Sequence, residues 1–322
     1  GELLTSGGWP DPSPSQSLLR EGRAMISALL CDLSAIKNVT VKTIWSARLS
    51  SPKIDGVEFI ATTGIADERN QFEKLATQAD ATWFIAPEID GILTTRQKIV
   101  TAVGGRWVGP DSHALEIASD KLQFSQHLEN HQIRTVPTRT IRNVEEIEPA
   151  DFPVVVKPRF GAGSLNVRLV DGTNSPHSLK QLPDSSSEFI VQPLIVGRAI
   201  SVGVIVRTES SDCDLFPVCE QHLSSDGRFC YLGGQLPANL AGRQDVESAI
   251  SQLVQQACQS IPGLEGYVGF DLILPDEAPE KPVIVELNPR LTTSYLGYRK
   301  ITSDNLAERI LFPENVVQPI EW

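Results

Sequence analysis

An α/β protein of more than one lobe is what this sequence predicts, and three observations carry that expectation. The first hundred residues or so alternate short β-rich runs with helical patterns, which implies a parallel sheet. Beyond Pro110 the pattern changes to strands returning through short links, which implies an antiparallel sheet. And 322 residues are too many for one ordinary domain, so two or three lobes are expected.

The elements follow in order. "SQSLLREGRAMISALLCDLSA" (15–35) places Leu18, Met25, Leu29 and Leu33 on one stripe, a helix capped by Ser15 or Ser17. Strand-like runs follow at "VTVKTIW", "VEFIAT" (57–62) and "ATWFIAP" (81–87). "DSHALEIASDKLQFSQHLEN" reads as one helix, and "DFPVVVKP" and "VRLV" then flank a glycine-bearing turn. "EFIVQPLIV", "ISVGVIV", "YVGFDLILP" and "PVIVELN" supply four more strands, with a helix at about 243–260. Pro149 and the Ser-rich "PDSSSE" (183–188) read as loops.

Composition narrows the function. Apolar residues at 41% and charged residues at 21% are those of a soluble globular protein. A net charge of −12 argues against a nucleic-acid partner. No apolar run is long enough for a membrane span, and Gly1 to Pro10 lack the pattern of a signal peptide. The cysteines (Cys31, Cys213, Cys219, Cys230 and Cys258) are odd in number and lack CxxC spacing, which reads as reduced thiols in a cytoplasmic protein.

Polar intrusions into apolar strands carry the chemistry. In "VELNPRLTTSY" (285–295), alternation puts Ile284, Glu286 and Asn288 on one face and Val283, Val285 and Leu287 on the other. Asp271 interrupts "YVGFDLILP", and the loop 275–281 between the two strands makes a hairpin that sets Asp271 beside Glu286 and Asn288. Two carboxylates and an amide oxygen form a hard-oxygen site suited to magnesium or manganese. A solvent-facing hairpin with polar alternation is the alternative. In "VVVKPRFGAGS", Lys157 ends a strand and Gly161, Ala162, Gly163 and Ser164 make a small turn whose N–H groups can converge on phosphate oxygens. The spacing is neither that of a P-loop nor that of a dinucleotide fingerprint. The same stretch also reads as a plain turn.

"SDKL" (119–122), "VVVKPRFGAGS", "FIVQPLIVGRAISV" (189–202), "GFDLIL" and "VELNPRLTTSY" together resemble the ATP-grasp ligases, in their order. "GELLTSGGW", "SLLREGRAMISALLCDL", "ATWFIAPEIDGIL" and "NPRLTTSYLGYR" (288–299) are similar to the tyramine–glutamate ligase subgroup of methanofuran-type cofactor biosynthesis. The resemblance implies three lobes: a pre-ATP-grasp domain over 1–112, a lid lobe over 113–188 and a metal-bearing lobe over 189–322. It implies ATP and two Mg2+ or Mn2+ ions held by Asp271, Glu286 and Asn288. Lys121 and Lys157 are implied at the phosphates, with Gly161–Ser164 as a lid and Gln192, Pro193, Leu194 and Ile195 around the adenine. Arg290 is implied beside an acyl phosphate. Ala199 departs from the pattern, because a ribose-binding glutamate often stands there.

The activity so implied joins an amino-acid carboxylate, the γ-carboxylate of glutamate, to tyramine or a tyrosine-like amine. Another amino-acid ligase and a small-molecule kinase are the alternatives, and assembly as a homodimer is left open. Thr292, Thr293, Ser294 and Tyr295 read either as pocket lining or as the start of a helix. Gln221 and Tyr231 are further pocket candidates, and Gly7 and Gly8 read either as a carboxylate contact or as a tight turn. His113, His127, His131, His177 and His222 are scattered and read as surface residues, while Cys213, Cys219 and Cys230 read as packing.

Overall fold

The computed structural model describes residues 1–9, 16–142, 146–148, 151–172, 188–207, 213–240, 242–315 and 318–322. Ser15, Pro149, His177 and nearly all of the Ser-rich stretch lie outside the described residues.

In the N-terminal unit, β1 (Val41–Ser46) and β2 (Val57–Thr62) pair in parallel, as do β3 (Ala81–Thr82) and β4 (Arg106–Trp107). The strand expected over 81–87 shrinks to two residues. Beyond it the chain keeps a parallel bridge from Ile85 to Glu2, and the Trp83 carbonyl accepts from the Gly1 amino group. Three helices complete the unit: α1 (Gln16–Ser34), α2 (Ile65–Gln78) and α3 (Ile92–Ala102). Ser17 does not cap α1. It lies inside the helix, and its hydroxyl donates to Glu21 four residues on.

The helix expected over 111–130 is two helices, α4 (Ser112–Ser119) and α5 (Lys121–Asn130). Asp120 separates them and caps the second, accepting the N–H groups of Leu122 and Gln123 at 3.0 and 3.2 Å. The break makes Lys121 the first residue of α5 and turns it inward.

A small antiparallel sheet runs in the order β5 (Arg139–Ile141), β8 (Phe189–Pro193), β6 (Val154–Pro158), β7 (Arg168–Val170). Phe189–Pro193 was expected to open the C-terminal lobe, but it pairs along both edges with this sheet. By strand pairing the division therefore falls after Pro193 rather than at 188. The expected start at 113 also shifts. Ala114, Ile117, Phe124 and Leu128 pack into the core of the large sheet, not of the small one.

That large sheet comprises β9 (Gly197–Val206), β10 (Cys213–Leu215), β11 (Cys219–Leu223), β12 (Tyr231–Gln235), β13 (Gly266–Pro275) and β14 (Val283–Asn288). Its order is β12-β11-β9-β13-β14, with β10 on the end of β9, and every pairing is antiparallel. Helix α6 (Gln244–Ser260) lays Val246, Ile250, Leu253, Val254 and Ala257 on one face of it. Each of the Val, Ile and Leu side chains removed from water contributes about 1.5–3 kcal/mol, so this layer anchors the lobe. Helices α7 (Tyr295–Ile301) and α8 (Leu306–Leu311) return to the N-terminal unit and pack on Met25, Ile26 and Leu29 of α1. Asp32 of α1 clamps them, accepting from the Tyr295 hydroxyl at 2.7 Å and from Arg299.

Candidate active site

The small sheet, the large sheet and the N-terminal unit enclose a cavity of about 370 Å³. Every residue singled out for nucleotide, metal or acyl-phosphate contact lines it: Lys121, Lys157, Gly161–Ser164, Gln192–Ile195, Asp271, Glu286, Asn288 and Arg290.

Strands β13 and β14 pair as expected, with Asp271 opposite Glu286 and Gly269 opposite Asn288. The expected faces need correction at one point. A bulge pairs Leu272 with Ile284, so Val285 is an extra residue on β14 and the alternation shifts there. Ile284 is fully buried in the core with Leu287, while Val285 joins Glu286 and Asn288 in lining the cavity. The bulge aims Glu286 into the site without exposing Ile284.

The charges of the site are interlocked. Burial first, then the nearby Glu286 charge, pushes the Asp271 carboxyl up to about 6. The Asn288 and Gln221 amides donate to it at 2.9 and 2.8 Å and oppose that rise. Burial works to raise Glu286 too, but the ammonium groups of Lys121 and Lys157 outweigh it and hold Glu286 below the usual range. Lys121 lies 3.4 Å from Glu286 and donates to the Gly161 carbonyl at 2.6 Å, tying the turn to the charged floor. Burial lowers Lys157 to about 8, with Glu286 opposing.

Two carboxylates this close, one with its pKa raised in part by the other's charge, form a site that a divalent cation would relieve. Asp271, Glu286 and the Asn288 amide oxygen are the hard donors such a cation takes. Among the described residues no group of three or more His, Cys, Asp or Glu could hold a metal.

Arg290 forms an ion pair with Glu88 at 2.8 Å and donates to its other oxygen at 3.0 Å. Burial works against its charge, but Glu88, together with Glu286 and Asp271, more than offsets that, and its pKa lies above the ordinary value. Glu88 was not foreseen. Its signal was present all the same: it ends the apolar run "ATWFIAP" as Glu286 interrupts "PVIVELN", at the mouth of a parallel sheet. Glu2 was missed as well. It is 1% exposed, lines the cavity, and accepts the N–H groups of Leu4 and Thr5 at 2.9 and 2.8 Å.

The secondary candidates divide. Gln221, Tyr231, Thr292, Thr293 and Ser294 line the cavity, whereas Tyr295 is fully buried and starts α7. Ser294 makes no capping hydrogen bond, so of its two readings the lining one fits. Gly7 and Gly8 do not line the cavity. Gly7, at φ +82°, turns the chain against Ser46 and Thr62, and Gly8 packs on Leu3 and Glu68, so they are a tight turn. None of the described histidines lines the cavity, and His127 bonds the Ser260 carbonyl at 2.9 Å. The described cysteines are all free thiols, with Cys219 and Cys258 buried.

Profiles of known families match this chain twice: a pre ATP-grasp 3 domain over residues 39–115 and an ATP-grasp domain over residues 118–294, more than half its length. The chain belongs to the ATP-grasp family. Within it, the chain is similar to the tyramine–L-glutamate ligase of Methanocaldococcus fervens, at 26% identity over 92% of this chain and 88% of the relative. It also resembles the D-alanine–D-alanine ligase of Thermotoga petrophila, at 29% identity over 53% of this chain and 59% of that one. Among solved structures, an ATP-grasp superfamily protein of Archaeoglobus fulgidus superposes with a TM-score of 0.73 at 23% identity, covering 99% of this chain and 88% of its own. The expectation of an ATP-dependent, amide-forming ligase agrees with both curated relatives, each named as a ligase. No helix among the described residues is long and apolar enough to cross a membrane.

Proposed function

We propose that the protein joins the γ-carboxylate of L-glutamate to tyramine or a tyrosine-like amine through an acyl phosphate, in the making of a methanofuran-type one-carbon cofactor. The observation that supports this most is the convergence of Asp271, Glu286 and Asn288 with Lys121, Lys157 and Arg290 on one cavity. The named relative of M. fervens, matched over most of both chains, supports the choice of substrates.

A carboxylate is a poor electrophile, so ATP must activate it. In this reading a carboxylate oxygen attacks the γ-phosphorus and ADP leaves. The amine nitrogen then attacks the acyl carbon, and phosphate leaves. Such transfers need in-line positioning and charge neutralisation rather than a protein nucleophile. Two magnesium or manganese ions held by Asp271, Glu286 and Asn288 would supply part of that neutralisation. Lys121 and Lys157 place two ammonium groups against the same oxygens, and the small residues 161–164 let backbone N–H groups approach closely. Arg290, oriented by Glu88, stands past the metal-bearing strand, where a planar cation can steady the transferring phosphoryl group. The turn covers the site and keeps water from the acyl phosphate. Gln192 would meet the adenine with the backbone of 193–195, and with Ala199 in the wall no carboxylate reaches the ribose from β9.

A panel of amines and carboxylates, scored for ADP and phosphate release with mass detection of the product, tests the reading. Phosphate released only when both substrates are present, with a glutamyl amide as product, is the expected result. A phosphorylated small molecule would make the protein a kinase instead.

A further inference from the structure

Gln192 is 4% exposed and lines the cavity, where the ligase reading puts the adenine. An amide side chain can present its oxygen or its NH2 group to a base; the first suits a donor on the ligand and the second an acceptor. Its neighbours decide between them. On β8, Val191 enters the core of the small sheet, so Gln192 turns to the other face, beside Val155 of β6, which also lines the cavity. On the opposite flank β5 pairs Arg139 with Val191 and Thr140 with Ile190. One step further, that register sets Thr138 across from Gln192, and the Gln192 amide meets the Thr138 hydroxyl at 2.8 Å. Thr138 itself is half-buried and does not line the cavity.

A hydroxyl has one hydrogen, and that of Thr138 is already committed. Its Oγ1 lies 2.8 Å from the Val136 carbonyl, and a carbonyl oxygen only accepts, so Thr138 donates there. That carbonyl is fixed in its turn. Ser125 of α5 donates to it at 2.9 Å, and the Val136 N–H donates to the Ile284 carbonyl of β14 at 3.2 Å. Towards Gln192, Thr138 can therefore only accept. The amide gives it the NH2 group, which leaves Oε1 as the atom for the cavity. Among the described residues no group donates to Oε1, and it is not sealed from solvent.

We infer that Thr138 is a specificity-determining residue of the nucleotide end, although it stands outside the cavity. By holding the Gln192 NH2 group it turns Oε1 to the base, where the oxygen accepts from a 6-amino group and opposes a 6-oxo oxygen. Released from Thr138, the amide can turn over and offer its NH2 group to a 6-oxopurine. The inference rests on the placing of the adenine at Gln192 and goes beyond it, because the choice between bases is made one residue further out.

Calorimetry in the presence of magnesium compares ADP, IDP and purine riboside 5′-diphosphate, which carry NH2, O and H at the purine 6-position. Wild-type protein is expected to bind ADP at least about tenfold more tightly than IDP, with the 6-H compound between them. Thr138→Val keeps the shape and removes the hydroxyl, and should lower the ADP-to-IDP ratio by about tenfold, whereas Thr138→Ser should keep the wild-type ratio. A contact that merely braced the fold would weaken all three ligands alike. Equal binding of ADP and IDP by the wild type overturns the inference. So does an unchanged ratio in Thr138→Val, or an equal loss in Thr138→Ser. Should the valine variant not fold, Thr138→Ala is read in its place, and the wild-type series stands regardless. Failure of all three diphosphates to bind the wild type overturns the nucleotide site and the ligase reading with it, so the two failures are distinct.

Discussion

Two hairpins face each other across the cavity, and they are built on opposite principles. The β13–β14 hairpin presents three charged or polar groups from strands whose core-facing Phe270, Ile284 and Leu287 are 1% exposed or less. Strand β9 pairs along its β13 edge, and the Val285 bulge sets the register between its own two strands. The β6–β7 hairpin presents a turn instead. Gly161, Gly163, Ser164 and Asn166 all adopt positive φ, and Phe160 and Leu165 stand 46% and 42% exposed. That turn is held by single contacts: Lys121 to the Gly161 carbonyl, Ser164 to the Phe229 carbonyl at 2.8 Å, and Leu18 against Gly163. Segments with few buried apolar contacts open at low free-energy cost. The difference teaches a division of labour. The groups proposed to bear charge are mounted where position is fixed by a core, and the cover is mounted where it can move. Substitutions in the first hairpin should therefore cost chemistry, and those in the second should cost closure.

The largest effect is expected at Glu286. Glu286→Gln is predicted to lower turnover by more than about 10³-fold, roughly 4 kcal/mol, because a carboxylate between cations is lost from the transition state. The fold should survive the change, since Lys157, already lowered to about 8, can shed its proton when its counter-charge goes. Turnover within about tenfold of wild type at saturating magnesium would dismiss the metal role and make β13–β14 a merely structural hairpin.

Arg290→Ala is next, at about 10²–10³ in the chemical rate. Its buried partner complicates the reading, for removing Arg290 strands Glu88 at 4% exposure. Breaking such a pair costs about 3–5 kcal/mol of stability. Glu88→Gln separates the two contributions, because it keeps the cation but loosens its orientation. Single-turnover rates should fall more in Arg290→Ala than in Glu88→Gln, whereas the fall in Tm should be comparable. If instead the rates follow Tm across both variants, Arg290 is an anchor for residues 288–295 and not a participant.

The same division explains what was legible in the sequence. Asp271, Glu286 and Asn288 stand out because apolar strands make any polar residue conspicuous, and their hairpin could be paired from the loop length alone. The Val285 bulge was not legible, because one extra residue leaves no trace in a run as uniform as "PVIVELN". Asp120 was hidden inside a helical pattern. Its capping role depends on the chain turning there, which only the contact with Arg159 at 2.8 Å and the packing of Lys121 make visible. The assignment of β8 failed for a physical reason too. "EFIVQPLIV" and "ISVGVIV" are consecutive apolar runs, and nothing local says that the first pairs backwards with β6 and the second forwards with β13. Glu88 went unread because its partner, Arg290, lies far away in sequence, and Glu2 because its partners are backbone N–H groups.

Lys157 links the two hairpins, sitting at the end of β6 with its ammonium facing Glu286. Its folded-state pKa of about 8 lies below the ordinary 10.5. In that interval the unfolded chain binds more protons, so the penalty this buried group places on the fold is full below about pH 8 and fades as pH rises towards 10.5. Bound phosphates favour the charged form and work the other way. ATP affinity is therefore expected to weaken above about pH 8, by up to tenfold per pH unit. Calorimetry between pH 7 and 9.5 checks this, and Lys157→Arg, charged throughout, should flatten the slope. An equal slope in both proteins would assign the titration elsewhere.

The smallest effect is expected in the cover. Gly163 adopts φ +68°, and a β-carbon built on it would come within 3.0 Å of the Leu18 methyl on α1. The left-handed backbone costs a non-glycine residue about 1–2 kcal/mol, whereas the Leu18 contact can relax because it involves the tip of a flexible side chain. Gly163→Ala should thus destabilise the closed turn by about 1 kcal/mol and lower kcat/KM roughly fivefold. Tm should barely move, since the turn can open without unfolding either sheet. Adding Leu18→Ala removes the contact but not the backbone cost, so the double variant should recover little of the loss. Full recovery would put the strain in the contact with α1, and a Tm falling in step with the rate would place the turn among the structural hairpins after all.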